Sequence, residues 1–577
     1  MIKKYGKISF IFLEIWPLIK SIRKFQIILL FLFTLISAFL EVISIGAVIP
    51  FMEVMLDPSI VQKYLNYLSN LNLIDFNFNN FTEYEVKLYF TIFFIITVII
   101  SSLSRFFVYY LNLKISYLTD FDLKNDTFSN LSNTNLKVRK ILNINETLSS
   151  FEKIKSIYKS LHSTLLVLTG SLYSLIILSS ILYIDFTIVF SLFMFSIIFF
   201  GTVLLLTKKK FENLSKIHAQ STDKMYELLN YSFNYFKIII LDKINDYYIK
   251  NFRNSTFQIS NSSIKTRMIT ALTSSFFITS LTIFIVLLLF NMSLKIDLQI
   301  IMPKIIAITI GAQRLIQSLS SIFNNFQKNL FLKHPVLDAL KFIKKIKSSK
   351  KLKLKINTKK IIFKEIELKN ISYKIKNQYI LNKINLKLKY NDKVLIHGKT
   401  GSGKTSLIDV IAGLTYDFEG KIKIAKLNLS REKSELMRNL VSMVPQQIFI
   451  FQSTIQDNIV FEEINKDVDM NKLKKCIKCA DLEDFVSIRK NKLNYKLNFD
   501  GQNISGGQKQ RIGIARALYK DTPIIIFDEA TNALDFETEK KIFENINRFY
   551  KDRLLICINH NARIGNYFNK KINLSKK

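Results

Sequence analysis

The sequence predicts a two-part fold, in which a multi-pass α-helical membrane domain of six spans precedes a C-terminal α/β domain. Apolar segments of bilayer-spanning length are confined to the chain up to Ile322. Beyond Ile322, short apolar runs alternate with helical periodicity. Two of these runs, Lys393–Ile396 and Ile524–Phe527, have the apolar character of strands that are buried in parallel sheets.

Six apolar segments have about the 20 residues that a membrane-spanning helix needs. They are Phe25–Phe51, Leu88–Leu111, Leu165–Tyr183, Thr187–Leu206, Ile269–Phe290 and Ile296–Ile322. Residues 1–24 precede the first span without the pattern of a cleavable signal peptide, and their mixed basic and apolar side chains predict an amphipathic elbow helix on the membrane surface. The predicted membrane domain covers 25–335, a Lys-rich linker covers 336–360, and the α/β domain covers 361–577.

The composition and the distribution of charge narrow the functional classes. Hydrophobic residues make up 49% of the chain, which excludes a disordered protein, and three cysteines exclude a disulfide framework. Cys476 and Cys479 are expected to be a buried helical pair rather than a zinc site. The net charge of +37 accompanies a general Lys, Asn and Ile bias, and a nucleic-acid role is excluded because the first half lies largely in lipid.

Basic residues predict the orientation of the membrane domain. Acidic residues predominate between spans one and two, whereas lysines crowd the connections between spans two and three and between spans four and five. The positive-inside rule therefore puts both termini, the long connections and the α/β domain in the cytoplasm, as expected for a multi-pass protein of the cytoplasmic (inner) membrane.

A glycine-rich segment predicts a P-loop NTPase domain. Residues Gly398, Lys399, Thr400, Gly401, Ser402, Gly403, Lys404 and Thr405 match G-x-x-x-x-G-K-[ST] between a predicted strand and a helix that begins at Ser406. The glycines let backbone amides approach phosphate oxygens, and the helix N-terminus adds its dipole. Lys404 is predicted to bind the β- and γ-phosphates of ATP, and the Thr405 hydroxyl is predicted to coordinate Mg²⁺.

The strand Ile524–Phe527 is followed by two carboxylates. Asp528 ends the strand beside the phosphate loop, which predicts a second Mg²⁺ ligand. Glu529 is predicted to polarise the water that attacks the γ-phosphate.

Four further segments resemble the ATP-binding cassette (ABC) transporters. Asn503 to Arg511 resembles the LSGGQ signature with Ile504 in place of Leu, and Gln446, Ala533–Asp535 and His560 resemble the Q-loop, D-loop and switch histidine. The resemblance covers the chain from the first span to the last strand. It implies an exporter-type membrane domain and an ATPase in which Gln446 and His560 act beside Glu529. It also implies that Gln446 binds Mg²⁺.

The resemblance also implies a homodimer with shared ATP sites. Ser505, Gly506, Gly507, Gln508 and Asp535 of one chain would face the ATP bound by the other. In exporter-type members of this family, helical elbows in the two long cytoplasmic connections dock on the ATP-binding domains. By position, these elbows would lie near Leu136–Ile141 and Leu241–Tyr247. The family's adenine-stacking aromatic aligns with Ile375, so either Tyr373 or Tyr379 could take its role.

Within this family, the membrane domain resembles flippases of lipid-linked oligosaccharides. The similar segments are Phe39–Phe51 and Lys63–Leu68, and they imply an amphiphilic substrate such as a (pyro)phosphate-linked polyprenyl glycan. Arg105, Arg267 and Arg314 lie in or at the ends of apolar spans, which predicts a basic belt that binds the phosphates. Glu41 also lies in an apolar run, and it either contacts the cargo or another helix or marks the outer end of its span.

Two other functions stay open at this point. One is a multidrug or peptide exporter, which is disfavoured in its peptide version because an N-terminal peptidase domain is not expected. The other is an ATP-gated regulatory or channel-like protein, which is disfavoured because Glu529 and His560 are both present.

Overall fold

The computed structural model divides the chain into two compact units. The first comprises Met1–Ser132 and Leu142–Ser349, and the second comprises Asn133–Ile141 and Lys350–Lys577. The structure describes residues 8–57, 60–61, 82–134, 139, 142–184, 186–293, 298–348, 363–375, 378–399, 401–415, 418–424, 427–429, 435–461, 467–559 and 562–574.

The described part of the first unit is α-helical. Its helices are α1 (Ile8–Ile15), α2 (Ser21–Gly46), α3 (Val48–Leu56), α4 (Glu83–Ser132), α5 (Ile144–Ile184), α6 (Phe186–Asn234), α7 (Phe236–Leu241), α8 (Asn245–Ser293) and α9 (Leu298–Lys347).

Five stretches among the described residues are long and apolar enough to cross a membrane. They are Ser21–Leu56, Glu83–Ser132, Ile144–Ser180, Asn245–Leu287 and Ile305–Lys347, which overlap the first, second, third, fifth and sixth predicted spans. The fourth predicted span, Thr187–Leu206, lies in α6, where several side chains fall outside the described residues. That the membrane domain has six spans therefore stays a prediction.

The helices extend well beyond the apolar segments that predicted them. At 1.5 Å per residue, the 50 residues of α4 span roughly 75 Å, more than twice the hydrocarbon core of a bilayer. Likewise, α9 continues to Lys347, so the stretch predicted as a linker from residue 336 begins as helix. The reason is that Phe342, Ile343 and Ile346 are buried while the lysines between them face outward. Residues 349–362 lie outside the described part.

The N-terminal elbow and one of the two predicted docking elbows differ in detail from the sequence pattern. The N-terminal elbow is α1 plus a turn at Trp16–Leu18, and α2 begins at Ser21 rather than Phe25. Instead of an elbow over Leu241–Tyr247, a short helix ends at Leu241 and α8 begins at Asn245, with Lys243 between them at φ 55°. Most of Leu136–Ile141 and all of Lys63–Leu68 lie outside the described residues.

The second unit contains two sheets flanked by helices. Its strands are β1 (Glu365–Ile375), β2 (Gln378–Lys389), β3 (Lys393–His397), β4 (Phe418–Ile424), β5 (Leu427–Leu429), β6 (Val441–Val444), β7 (Ile524–Asp528), β8 (Leu554–Ile558) and β9 (Lys570–Asn573). Its helices are α10 (Lys404–Ile411), α11 (Glu435–Leu440), α12 (Ile455–Val460), α13 (Met470–Cys479), α14 (Glu483–Ser487), α15 (Gly506–Tyr519) and α16 (Phe536–Phe549).

The parallel sheet positions the chemistry of this unit. Its strand order is β6-β7-β8-β3-β9, and the antiparallel sheet has the order β2-β1-β4-β5. All residues of β7 and β8 are buried, as the continuous apolar run in β7 predicts. Because β3 and β7 are parallel, the segments that leave their carboxyl ends lie at the same edge of the sheet.

Candidate nucleotide site and membrane cavity

The phosphate loop leaves β3 as a tight turn that packs against neighbouring backbone. Gly403 has φ 93°, and a Cβ there would lie 2.8 Å from the carbonyl oxygen of Ile380 on β2. At Gly398, a Cβ would lie 2.5 Å from the carbonyl oxygen of Leu574. Glycine at these positions therefore allows a close backbone turn that leads directly into α10, which begins at Lys404.

The side chains of the loop fit a polyphosphate. The ammonium of Lys404 donates hydrogen bonds to the carbonyl oxygens of Gly398 at 2.8 Å and Lys399 at 3.3 Å, so it lies over the loop. The buried Ser402 hydroxyl has no hydrogen-bond partner among the described residues. Thr405 and Ser406 occupy the first turn of α10, and Thr400 lies outside the described part. A Lys over a helix N-terminus with amide and hydroxyl donors matches the chemistry of bound phosphate groups.

Two carboxylates and an amide meet at the end of β7. Asp528 is the last residue of β7, and burial, together with Glu529 and Asp409, raises its pKa to about 6 against the opposing effect of Lys404. Gln446 Nε2 donates to Glu529 Oε2 at 2.9 Å. Glu529 has φ 50°, a strained conformation for a non-glycine residue, such as is often found at functional sites.

These residues also fit a magnesium ion. Thr405 and Gln446 offer neutral oxygens, and Asp528 offers a buried carboxylate whose raised pKa reflects incomplete compensation by cations. No group of three or more His, Cys, Asp or Glu side chains with metal-binding geometry occurs among the described residues. One carboxylate plus hydroxyl and amide oxygens is consistent with Mg²⁺, which takes its remaining ligands from phosphate oxygens and water.

The region around His560 is described up to Asn559. His560 follows β8 and lies outside the described residues, so its contacts stay a prediction. Asn559 is buried and its Nδ2 donates to Thr531 Oγ1 and to Glu539 Oε1, at 3.0 Å each. The strand that precedes His560 is therefore bonded to the loop after Glu529 and to α16.

The signature segment forms the N-terminus of α15. Ser505 is the N-cap, because its Oγ accepts from Gln508 N at 3.2 Å while Gln508 Oε1 accepts from Ser505 N at 3.0 Å. Gly506 and Gly507 form the first turn, and a Cβ at Gly507 would lie 3.2 Å from the carbonyl oxygen of Ala533. This places a capped helix N-terminus with two small residues against the D-loop.

The signature segment and the D-loop, Ala533–Asp535, together line a surface cavity. Gln510 Oε1 accepts from Ala533 N at 3.0 Å, which ties the D-loop to α15. Asp535 caps α16, and the hydrogen bond from Thr538 lowers its pKa. Among the described residues, the cavity lining comes from these two segments rather than from the phosphate loop: Ser505, Gly506, Gly507, Arg511, Ala533, Leu534, Asp535 and Thr538.

The two aromatic candidates for adenine stacking differ in accessibility. Tyr373 is 3% exposed and belongs to the core, whereas Tyr379 is 52% exposed on β2. Tyr379 precedes Ile380, whose carbonyl oxygen abuts Gly403 of the phosphate loop. The Lys374 ammonium lies 4.1 Å from the Tyr379 ring centroid, so the ring already interacts with a cation. Tyr379 is thus the more accessible of the two candidates, on a strand that passes beside the loop.

A second candidate site is a cavity of about 470 Å³ in the first unit. Glu41 is buried there between two predicted substrate residues: its Oε1 lies 2.8 Å from Arg105 Nη2 and 3.5 Å from Arg314 Nε. Glu41 therefore joins three helices, α2, α4 and α9, through buried charge.

Arg267, the third arginine of the predicted belt, does not belong to this cavity. It lies on α8 with an exposed side chain, and the cavity lining among the described residues contains Arg105 and Arg314 but not Arg267. The position of an arginine in an apolar span does not show whether its side chain lines the cavity. That depends on which face of the long helix packs against its neighbours. Two arginines of the predicted belt thus line one described cavity together with the acidic Glu41, and the place of Arg267 in such a belt stays a prediction.

Comparison with known proteins identifies the architecture. Residues 381–532 match the family model described as ABC transporter. The chain is 32% identical over 330 residues to an ATP-dependent lipid A-core flippase of Wigglesworthia glossinidia brevipalpis, covering 56% of this chain and 54% of the relative. It is 36% identical over 212 residues to a lactococcin-G-processing and transport ATP-binding protein of Lactococcus lactis, covering 36% of this chain and 30% of the relative. The matched segments thus span about half or less of these relatives.

The fold comparison extends over both units. A bacterial Atm1-family ABC exporter with ATP bound superposes with a TM-score of 0.71 at 16% sequence identity, covering 94% of this chain and 93% of that one. The likeness at this identity concerns the fold. Together with the ordered motifs of the second unit, it confirms the predicted fold class, a helical membrane domain of the exporter type followed by a P-loop domain. Residues 381–532 thus match the ABC transporter family, and the two units together have the fold of an exporter-type half-transporter.

Proposed function

We propose that the chain hydrolyses ATP with Mg²⁺ and uses the energy to translocate an amphiphile across the cytoplasmic membrane. The observation that carries the proposal is the Gln446–Glu529 hydrogen bond beside Asp528 and the phosphate loop. That bond joins the Glu529 carboxylate to Gln446, and the parallel sheet brings both to the edge where Asp528 and Lys404 lie. In this proposal both termini and the cassette are cytoplasmic, as the distribution of basic residues predicts.

Each residue at this edge has a distinct role in hydrolysis. Lys404 neutralises charge on the β- and γ-phosphates, and bound Mg²⁺ would supply electrostatic stabilisation of the transferring phosphoryl group. Thr405, Gln446 and Asp528 would hold that ion. Glu529 accepts a proton from the attacking water, and Gln446 positions the Glu529 carboxylate through their hydrogen bond.

We further propose that two chains form a homodimer with composite sites. The capped N-terminus of α15 presents Ser505, Gly506 and backbone amides at the surface of one chain. Such a helix end suits the γ-phosphate of an ATP held by the phosphate loop of a second chain. Asp535 and Gln508 would lie in the same interface.

The cargo that fits this chain best is a glycolipid with a phosphate-containing head, such as a (pyro)phosphate-linked polyprenyl glycan. The relatives named lipid A-core flippases support an amphiphilic class of cargo. Arg105 and Arg314 line a cavity of the membrane domain, and guanidinium groups bind phosphate oxygens in bidentate fashion. ATP-driven rearrangement of the spans would expose this cavity to the outer side.

The test of the catalytic assignment is Glu529→Gln in the full chain, reconstituted in proteoliposomes. The variant should bind ATP as the wild type does but lose about 100-fold or more of its hydrolysis rate, since the attacking water loses its proton acceptor. The matched control is Glu537→Gln, an exposed carboxylate on α16, which should leave hydrolysis unchanged. Near-normal hydrolysis by Glu529→Gln would contradict the assignment.

Transport is tested in the same proteoliposomes. A fluorescent polyprenyl-pyrophosphate glycan is placed in either the inner or the outer leaflet as the probe. ATP should move the probe in the wild type but not in Glu529→Gln. ATP hydrolysis without any movement of the probe would retain the ATPase and reject this cargo class.

A further inference from the structure

The membrane cavity contains a buried carboxylate, Glu41, that has no part in the function proposed above. Glu41, at 2% exposed, is bonded to Arg105 and faces Arg314, and all three residues line the cavity. The remaining lining residues are uncharged. With Glu41 ionised, two guanidinium groups and one carboxylate give the described lining a net charge of +1 (2 − 1) rather than the +2 of the arginines alone.

Both arginines retain the capacity to bind a further anion. A guanidinium has five N–H donors. Arg105 directs Nη2 to Glu41 at 2.8 Å and Nη1 to Gln317 Oε1 at 3.4 Å, whereas Arg314 faces Glu41 through Nε at 3.5 Å. The Glu41 carboxylate therefore holds the position between two guanidinium groups that an oxyanion of a ligand would also take.

The rest of the lining suits the polar head of an amphiphile. Asn112 is fully buried, and its Nδ2 has no hydrogen-bond partner among the described residues. Ser318 and Ser321 add hydroxyl groups, while Phe106 and Leu166 contribute apolar surface. An unpartnered buried amide in the same cavity lining as two guanidinium groups suits a polar, acceptor-rich group.

We propose that Glu41 is an internal counter-ion, which an anionic group of the transported amphiphile displaces from Arg105 and Arg314. The ligand class is an amphiphile with a phosphate or another oxyanion. Half-buried arginines in an apolar span are costly without an anion, so the Glu41 carboxylate stabilises them whenever no cargo is bound. When the carboxylate returns, it repels the bound oxyanion and takes back the guanidinium donors, which expels the cargo.

This inference rests on the proposed transport function, because it adds a step to the same cavity, but its test needs no ATP. The full chain is placed in nanodiscs of zwitterionic phosphatidylcholine, and binding of radiolabelled dodecyl phosphate is measured against protein-free nanodiscs. Dodecyl maltoside serves as the uncharged probe.

Glu41→Gln should bind dodecyl phosphate about tenfold more tightly than the wild type, because a competing and repelling charge is removed. Arg105→Gln and Arg314→Gln should each weaken binding by about tenfold or more. The affinity for dodecyl maltoside should stay the same in all of these proteins. Glu53→Gln on α3, outside the cavity lining, is the matched control and should bind as the wild type does.

Equal or weaker binding by Glu41→Gln would overturn the proposal and leave Glu41 as a helix-pairing residue only. If Glu41→Gln does not fold, Glu41→Asp provides the test, since it keeps the charge but shortens the reach. It should bind the probe more tightly than the wild type, and equal affinity would reject displacement. Failure of ATP-driven transport would leave these binding results intact, so the two proposals fail separately.

Discussion

At the scale of single residues, exposure rather than identity separates the candidates that the sequence left open. Tyr373 and Tyr379 are two tyrosines in neighbouring strands, yet the first is core and the second is exposed on a strand that passes beside the phosphate loop. In the membrane unit, Arg105 and Arg267 both lie in apolar surroundings, yet the first alone shares a cavity with Glu41. The same residue type thus has a packing role or a binding role depending on the face it occupies.

Tyr379 is expected to stack on adenine. Tyr379→Ala should raise the Kd for a fluorescent ATP analogue about tenfold, because an aromatic–base stack is lost. Tyr379→Phe keeps the ring and should bind within about twofold of the wild type. Tyr373→Phe, in the core, controls for effects on folding. Unchanged affinity in Tyr379→Ala would show that the adenine stacks elsewhere.

At the scale of elements, a buried polar network follows the apolar strand β8. Asn559 bonds to Thr531, which follows β7, and to Glu539 on α16. Glu539 is 4% exposed, and burial raises its pKa despite hydrogen bonds from Thr531 and Asn559. Three elements around the predicted position of His560 are therefore fixed by one carboxylate.

This network predicts a pH-dependent difference in cassette stability. The pKa of Glu539 in the folded state lies above its ordinary value of 4.5. Between these two pKa values the folded state keeps a proton that the unfolded state has lost. The free energy of unfolding therefore falls as the pH rises from 4.5 through the folded-state pKa. Glu539→Gln keeps the acceptor for Asn559 without the charge. It should therefore unfold at a higher temperature than the wild type at pH 7, with the gap closing below about pH 4.5.

The cysteines allow this unfolding to be measured in the cassette alone. All three, Cys476, Cys479 and Cys557, are buried in the second unit, so their reaction with dithiodipyridine, which proceeds in acid, reports the opening of the cassette. Glu537→Gln, exposed on the same helix, should show no pH-dependent gap. A gap of equal size at pH 4 and pH 7 would refute the linkage to Glu539.

At the scale of the whole molecule, the signature helix and the phosphate loop line different surfaces of the described cassette. A single chain therefore offers half of each proposed ATP site, and the homodimer proposal can be tested by arranging two mutations in cis or in trans. Ser505→Arg blocks the signature, and Lys404→Ala removes the phosphate-binding ammonium. Ser505→Ala is the control for loss of the helix cap, which costs about 1 kcal/mol.

A mixed dimer of one Ser505→Arg chain and one Lys404→Ala chain should retain one intact composite site and should therefore hydrolyse ATP. The double mutant paired with a wild-type chain should lose hydrolysis, since each site then carries one defect. If each chain instead formed its own site, the two results would be reversed. Differently tagged chains, purified in tandem, provide the mixed dimers for the ATPase assay.

The sequence by itself determined the order of the two units, most apolar spans, and the nucleotide motifs from Gly398 to Thr405 and at Asp528. These are local patterns: bilayer length, an apolar strand and a glycine loop are readable within a few residues because each follows from backbone chemistry. Tertiary structure decided the partner of Glu41, the membership of the arginine cavity and the accessibility of Tyr379. It also decided the length of α9, whose lysines conceal a buried apolar face. Those outcomes depend on which helix faces meet, and residues as distant as Glu41 and Arg314 come together only when three long helices pack.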